Sequence, residues 1–345
     1  MSPAQLRAAL AEQVACRNLD GFAVAAVGPL PRDQAAFDAW LANGYHRSMA
    51  YMEKYREARA DPGRLVPGCR SVVMVALNYG PSEDRPPGDR PMGQVARYAR
   101  GRDYHKVLGK KLKSLAAWLQ EAGGRPVRSF VDTGPVLERA WAERSGLGWI
   151  GKNATLIRRD IGSWFLLGEL LSAAEIEPDP EGHDDFCGTC SACMEDCPTG
   201  AIVGPGQVDS GRCIAYWNIE HRGSIPEPMR EAMGDRIFGC DDCQTVCPWS
   251  RKFGTVPQAD LLSARPDLAA LDPREILAMD RDRFLARFAG TPVMRARLDG
   301  MKRNACIVLG NSGDSGAIPA LKQASQDPDP MIREHAAWAL ARLQG

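Results

Sequence analysis

Apolar and polar residues along the first half of the chain fall into two periods. Pro3–Cys16 repeats at helical spacing and predicts a helix. Residues 21–27 (GFAVAAV) read as a short apolar strand. Residues 71–77 (SVVMVAL) are β-branched and stop at Asn78-Tyr79-Gly80, the pattern of a buried strand. Over residues 104–121 the side chains of Leu108, Leu112, Leu115 and Leu119 share one side of a basic helix. Residue 129 begins a strand that runs into Asp132-Thr133-Gly134-Pro135, and residues 162–171 (GSWFLLGELL) form another core strand. A loop rich in Pro, Asp and Gly covers 80–93, and a proline- and acid-rich linker covers 176–183. These elements predict an α/β (α+β) domain over residues 1–175.

Helical periodicity returns near the C-terminus as a repeat. Lys302, Ala305 and Leu309 are matched by Arg333, Ala336 and Leu340, 31 residues on. Between them lie Ile318-Pro319-Ala320-Leu321 and the turn Asp327-Pro328-Asp329-Pro330. The pattern resembles HEAT-type repeats with a short period. So few units cannot bury a core alone. An all-α region over 256–345 is expected to dock on the rest of the protein and to serve as a binding arm.

The cysteines carry the chemistry. Of eleven in the chain, Cys187, Cys190, Cys193 and Cys197 precede Pro198 in the run C-x2-C-x2-C-x3-C-P of bacterial two-cluster ferredoxins. Cys240, Cys243 and Cys247 precede Pro248 in the same run, with Ile237 where its first cysteine would stand. Cys213 lies upstream and can supply the missing thiolate. In such pairs the cysteine before proline ligates the other cluster. One [4Fe–4S] cluster is therefore expected on Cys187, Cys190, Cys193 and Cys247, the second on Cys197, Cys213, Cys240 and Cys243. Structural zinc prefers two separated pairs of ligands, which this spacing does not offer. A ferredoxin-like domain is expected over 176–255. Cys16, Cys69 and Cys306 stand alone and are expected to be buried as small apolar residues.

A chain of 345 residues with 44% hydrophobic content can bury two or three cores. Lys and Arg number 43, as do Asp and Glu, so the chain as a whole is no polyanion binder. Local stretches differ. Residues 175–197 carry acids and neither Lys nor Arg, whereas 97–113 and 280–303 are basic. The opening MSPAQLRAAL lacks a charged segment followed by an apolar run, and no stretch is apolar enough to span a bilayer, which predicts a cytoplasmic protein. The tail has no apolar repeat face to spare, which predicts a monomer.

Three further motifs converge with the cysteines and the tail: Tyr98-Ala99-Arg100-Gly101-Arg102-Asp103-Tyr104-His105-Lys106, Val131-Asp132-Thr133-Gly134-Pro135 and Gly148-Trp149-Ile150-Gly151-Lys152-Asn153. Over essentially its whole length the chain resembles the epoxyqueuosine reductases. The resemblance implies an oxidoreductase that reduces epoxyqueuosine to queuosine at the wobble position of tRNA. It implies a catalytic domain related to that of reductive dehalogenases, two [4Fe–4S] clusters, and cobalamin bound base-off without a protein histidine on cobalt. The residues agree in part: clusters supply single electrons, no side chain supplies a low-potential nucleophile, and a cofactor must do so.

The resemblance makes Asp132 the proton donor, and its place against the cofactor is expected to favour the protonated form. It implies cobalamin contacts at Arg56, Arg97, Tyr98, Asp132, Lys152, Asn153, Ala215 and Asp241. Asp103-x-His105-x-x-x-Gly109 is one residue longer than the D-x-H-x-x-G cobalamin motif, so His105 is not expected to ligate cobalt. Arg222, Arg230, Arg281, Arg283, Arg295, Arg297, Lys302 and Arg303 are expected to meet tRNA phosphates, with the wobble nucleotide flipped out toward the cofactor. An external low-potential electron donor is required. A cobalamin-dependent reductive dehalogenase acting on small molecules is the alternative; the basic helical tail and the lack of an export signal speak against it.

Overall fold

A capping box starts the chain. Ser2 accepts from the Gln5 N–H, the Gln5 side chain accepts from the Ser2 N–H, and Pro3 pre-sets the first turn of α1, Pro3–Cys16. Strands β1 (Gly21–Ala26) and β2 (Ser71–Asn78) follow. Asp103 caps α2 (Tyr104–Gly123), and Gly124 ends it in the left-handed conformation at φ 61°. Then come β3 (Val127–Phe130), α3 (Glu138–Arg144) and β4 (Phe165–Ser172). The computed structural model describes residues 1–80, 91–182, 184–255 and 265–345.

The four strands form one sheet in the order β1-β2-β4-β3, antiparallel at every pairing. Every residue of β2 is buried, because helices cover both faces, and this is why its sequence is apolar without alternation. One face packs Val73, Val75, Leu77 and Leu170 against Leu6, Leu10 and Val14 of α1 and the four leucines of α2. Burying each of those leucines contributes roughly 1.5–3 kcal/mol. The other face packs Val72, Met74 and Leu171 against Ala140, Trp141 and Ala142 of α3.

Expected and observed elements differ in places. The strand expected over 162–171 begins at Phe165. Gly162 turns at φ 66°, where a Cβ would come within 2.5 Å of the Ser250 backbone, and Ser163 is drawn to Ser250 Oγ at 2.8 Å. The strand expected from 129 starts at Val127 and stops at Phe130. The expected linker is held down: Ile176 is buried, and Asp179 accepts from Arg7 Nη2 and the Val24 N–H, both at 2.8 Å. The loop expected over 80–93 falls outside the described residues across 81–90. Cys306 is buried as expected and Cys69 partly so, but Cys16 is exposed at the end of α1.

In the cysteine segment the short helices α4 (Ala192–Glu195) and α5 (Asp242–Thr245) pack on one another. A small sheet joins Gly93–Val95 to Arg236–Phe238 and Ala270–Leu271, tying remote parts of the sequence together. The tail contains α6 (Arg297–Asn311), α7 (Ile318–Ala324) and α8 (Pro330–Gln344), with Cys306, Leu309, Leu321, Ile332 and Ala336 between them.

Polar side chains stitch the tail to the segment between Cys213 and Cys240. Arg303 donates to the carbonyls of Trp217, His221 and Gly223 at 2.8–2.9 Å, and Asn304 donates to those of Asn218 and Ile237. His335 Nε2 accepts from the Ile225 N–H at 3.2 Å; burial lowers its pKa to about 4, so the ring is neutral. Among the described residues no helix is long and apolar enough to cross a membrane.

Candidate active site

Cys187, Cys190, Cys193 and Cys247 line a cavity of about 170 Å³ with Phe186, Trp249 and Lys152. Trp149, Phe186 and Trp249 form an aromatic wall with ring centroids 5.1–5.8 Å apart. Lys152 Nζ donates to the carbonyls of Gly188 (2.6 Å) and Cys190 (2.9 Å), so it braces the cysteine loop. Burial, then the neighbouring Cys187, Cys247 and Cys190, push the Cys193 thiol up. Among the described residues no three His, Cys, Asp or Glu side chains converge on a single ion. Four thiols spread around one cavity instead fit a polynuclear cluster, each sulfur to its own metal.

The second group is deeper. Burial raises Cys240 to about 12, and burial followed by the nearby Cys240 and Cys213 raises Cys243. Cys213 is raised by burial and feels Cys197. For Cys197 burial is outweighed by hydrogen bonds from Thr199 and the Ala201 N–H (3.3 Å), and its thiol is lowered. Asn153 is buried and donates to the Cys243 carbonyl at 3.1 Å. Lys152 and Asn153 thus hold the two cysteine loops.

Where β3 ends, the exposed Asp132 side chain has Tyr51, Arg59, Tyr98 and Arg295 around it, and the open space before it is the candidate cleft. Asp132 sits at φ 57°, a conformation that aspartate tolerates better than most residues. A Cβ on Gly134 would strike the Phe130 ring at 2.7 Å, so only glycine lets the loop fold back over β3. The Asp132 side chain is 61% exposed to the cleft. Its Oδ2 accepts from the Tyr104 hydroxyl at 2.9 Å and lies 3.3 Å from His105 Nε2. His105 Nδ1 is 2.9 Å from Asp103 Oδ1, the cap of α2. Both imidazole nitrogens are therefore engaged, and hydrogen bonds to Asp103 and Asp132 raise His105 to about 9. Burial opposes ionisation of Asp132, but bonds from His105 and Tyr104 outweigh it and hold the carboxyl below its usual value. The direction runs against the sequence-based expectation of a protonated carboxyl, because the imidazole and the phenol beside it favour the carboxylate.

Tyr98 stands in this cleft, packed edge-on to Tyr104 at 5.9 Å, and burial, then Asp132 and Asp241, raises its hydroxyl. Several other side chains around the cleft escaped the sequence reading. Tyr51 feels Glu220, Arg295 and Asp132 after burial. Arg59, lowered by burial, faces Glu138, Tyr51 and Asp132. Glu138 and Glu169 lie beneath the Asp132 loop and are raised by burial, Glu138 to about 7. Glu169 left one signal in the sequence: it is the only charge in FLLGELLS.

The expected contacts scatter. Arg56 is exposed and bidentate on Asp38 (2.6 and 2.8 Å), one turn away from Arg59. The Arg97 guanidinium lies 4.5 Å from the Trp164 ring centroid, and the Arg97 backbone N–H donates to half-buried Asp241 at 2.8 Å. Arg97, Asp241 and Cys240 line a groove of about 1070 Å³. Ala215 follows Cys213, toward whose sulfur its N–H is directed.

Of the expected RNA-facing cations, Arg222 donates to the Arg295 and Ala296 carbonyls, and Arg295 pairs with Glu220 at 2.8 Å. Arg222 is lowered by burial and by Arg297 and Arg295 beside it, so these three cluster, and Arg295 in turn feels Asp132. Arg281 and Arg283 are exposed farther along, and Lys302 pairs with Asp327 at 3.1 Å. Arg230 and Arg303 face inward. Arg230 is 3% exposed and bonds the Ile225 carbonyl and Glu334; Arg303 is 1% exposed on its three carbonyls. These partners take both off the surface, contrary to the sequence-based expectation.

The chain is similar to known proteins throughout. The family model "Epoxyqueuosine reductase QueG, DUF1730" matches residues 59–133, a 4Fe-4S double cluster binding domain matches 186–250, and HEAT repeats match 294–345. An epoxyqueuosine reductase of Xanthomonas campestris pv. campestris is 42% identical over 319 residues, covering 91% of this chain and 89% of its own. That of Escherichia coli is 40% identical over 317 residues, covering 91% and 83%. A crystal structure of epoxyqueuosine reductase with an epoxyqueuosine-modified tRNA-Tyr stem loop superposes with a TM-score of 0.92 at 31% identity, covering 99% of this chain and 91% of that one. An epoxyqueuosine reductase from Bacillus subtilis, with its catalytic aspartate loop swung out of the active site, gives 0.89 at 29% identity, covering 99% and 91%.

Proposed function

The chain belongs to the epoxyqueuosine reductase family and is an oxidoreductase, and from that premise we propose that it reduces epoxyqueuosine to queuosine at the wobble position of tRNA, with Asp132 as the proton-delivering residue. The observation that carries this reading is the Asp132 carboxyl, open to a cleft and backed by His105 and Asp103. A relative has been crystallised with an epoxyqueuosine-modified stem loop, which supports tRNA as substrate. The clustered Arg222, Arg295 and Arg297 suit phosphate contacts that position the loop.

Cys187, Cys190, Cys193 and Cys247 hold one [4Fe–4S] cluster in this reading, and Cys197, Cys213, Cys240 and Cys243 the other. Both nitrogens of His105 are engaged, so it would not ligate cobalt, and Arg97, Tyr98, Asp132 and Asp241 would hold a corrinoid. When bound, it supplies the low-potential nucleophile that side chains lack. The protein holds the proton. The imidazolium keeps it at Nε2, 3.3 Å from Asp132 Oδ2, and Asp132 passes it to the oxygen that leaves the ring. The test is anaerobic conversion of an epoxyqueuosine-bearing stem loop by protein reconstituted with iron and cobalamin, the nucleosides read by mass spectrometry; loss of the epoxide without appearance of queuosine would refute the reading.

A further inference from the structure

Two carboxyls beneath the Asp132 loop have no part in the chemistry above. Glu138 opens α3, and Glu169 sits in β4 across from Phe130 on one side and Met74 on the other. Glu169 is 0% exposed. Neither of its carboxyl oxygens, nor Glu138 Oε1, meets an N–H or O–H donor; the two carboxyls meet one another. The Asp132 N–H faces Glu138 from above.

The charges around the pair are mixed, and the net effect still raises both carboxyls. Asp132 adds negative charge, and the Tyr104 hydroxyl is committed to Asp132. Arg59 and Arg139 add positive charge near Glu138, but their hydrogen bonds go to the Val136 and Ala154 carbonyls rather than to the pair, and Glu138 stays raised despite them. Two buried carboxylates in contact repel, and the arrangement is stable only with a proton between them. Burial, then the Asp132 charge, raises Glu138 to about 7; burial, then Glu138 beside it, raises Glu169 well above its ordinary value. An apolar residue at position 169 would serve the sheet better, so the acid is there at a cost to the fold.

Reduction of an epoxide to an alkene consumes two electrons and two protons and releases water. The His105 proton, passed through Asp132, accounts for one. Resting on the reductase reading, we propose that Glu138 and Glu169 share a proton and deliver it to the Asp132 carboxylate for the second transfer. The proton passes from an O–H of the pair to an Asp132 oxygen, and the pair is reloaded by the reverse path from the exposed Asp132 carboxyl, which takes its proton from solvent. Glu138 and Glu169 are positioning and relay residues: they act through Asp132.

The test uses prereduced holoenzyme, a modified stem loop and the variants Glu169→Gln and Glu169→Leu. Single-turnover conversion is expected to fall at least about tenfold in both, and the wild-type decline above pH about 7 should disappear. The infrared C=O stretch of a protonated carboxylic acid should be present in the wild type and absent from Glu169→Gln. The Tm of Glu169→Leu should equal or exceed that of the wild type. A wild-type rate and pH profile in Glu169→Gln would overturn the proposal, as would a lowered Tm in Glu169→Leu, which would mark the pair as structural. If wild-type enzyme converts no epoxide, the reductase reading fails, and the infrared band in the wild type still decides whether the shared proton exists.

Discussion

His105 Nε2 lies 3.3 Å from Asp132 Oδ2, while the opposite nitrogen of the same ring lies 2.9 Å from Asp103 Oδ1. One imidazolium thus bridges the cap of α2 and the loop after β3. Its folded pKa of about 9 stands above the ordinary value of 6.5. The stabilisation is fully present below pH 6.5 and is lost as pH rises through about 9. His105→Gln should cost about 1–2 kcal/mol at pH 6 once solvent screening of this partly exposed pair is allowed for. Urea melts at pH 6 and pH 10 check this: the gap between wild type and variant should close at the higher pH.

Asp132→Asn should keep both clusters and the corrinoid and lose turnover by about 10²–10⁴-fold. Asparagine suits the left-handed backbone at this position, so the loop is retained, whereas alanine adds a backbone penalty of roughly 1–2 kcal/mol. Absorption spectra and single-turnover assays on both variants separate the proton from the loop. Near-normal turnover in the asparagine variant would remove Asp132 from the chemistry.

Cys247→Ser should disturb the cluster formed mainly by the first cysteine group, although it belongs to the second by sequence, because Cys247 lies on the cavity of Cys187, Cys190 and Cys193. Wild-type protein assembled without oxygen should contain about eight irons per chain and the variant about four. Loss of all iron, or of none, would contradict the crossed wiring.

Arg295→Glu and Arg303→Ala should fail in different ways. Arg295 is exposed, and reversing its charge should weaken stem-loop binding and reduce its salt dependence with little change in Tm. Arg303 is buried on three carbonyls, and its removal should cost about 2–4 kcal/mol by leaving them unpaired. Binding titrations at two salt concentrations and thermal melts of each variant decide the matter.

The sequence disclosed what local period and covalent spacing encode. The leucine stripe of α2, the apolar run of β2 and the two cysteine runs could all be read directly, because each is a pattern within one stretch of chain. Asp132 was legible through its motif. Its partners were not equally so, since Tyr104 and His105 reach it only once α2 packs beside β3. Arg230 and Arg303 look like surface cations in a basic stretch; their burial depends on carbonyls in the loop that follows Cys213. Arg56 and Arg59 differ by less than one helical turn, and only the packing of that turn decides which guanidinium faces the cleft.

Because Arg303 and Asn304 grip the chain between Cys213 and Cys240, the tail is no detachable accessory. A push on it from a docked anticodon would be felt in the mounting of the inner iron cube. A chain shortened before α6 should yield no minimal catalyst; it should bleach in air, its second cube stripped of backing.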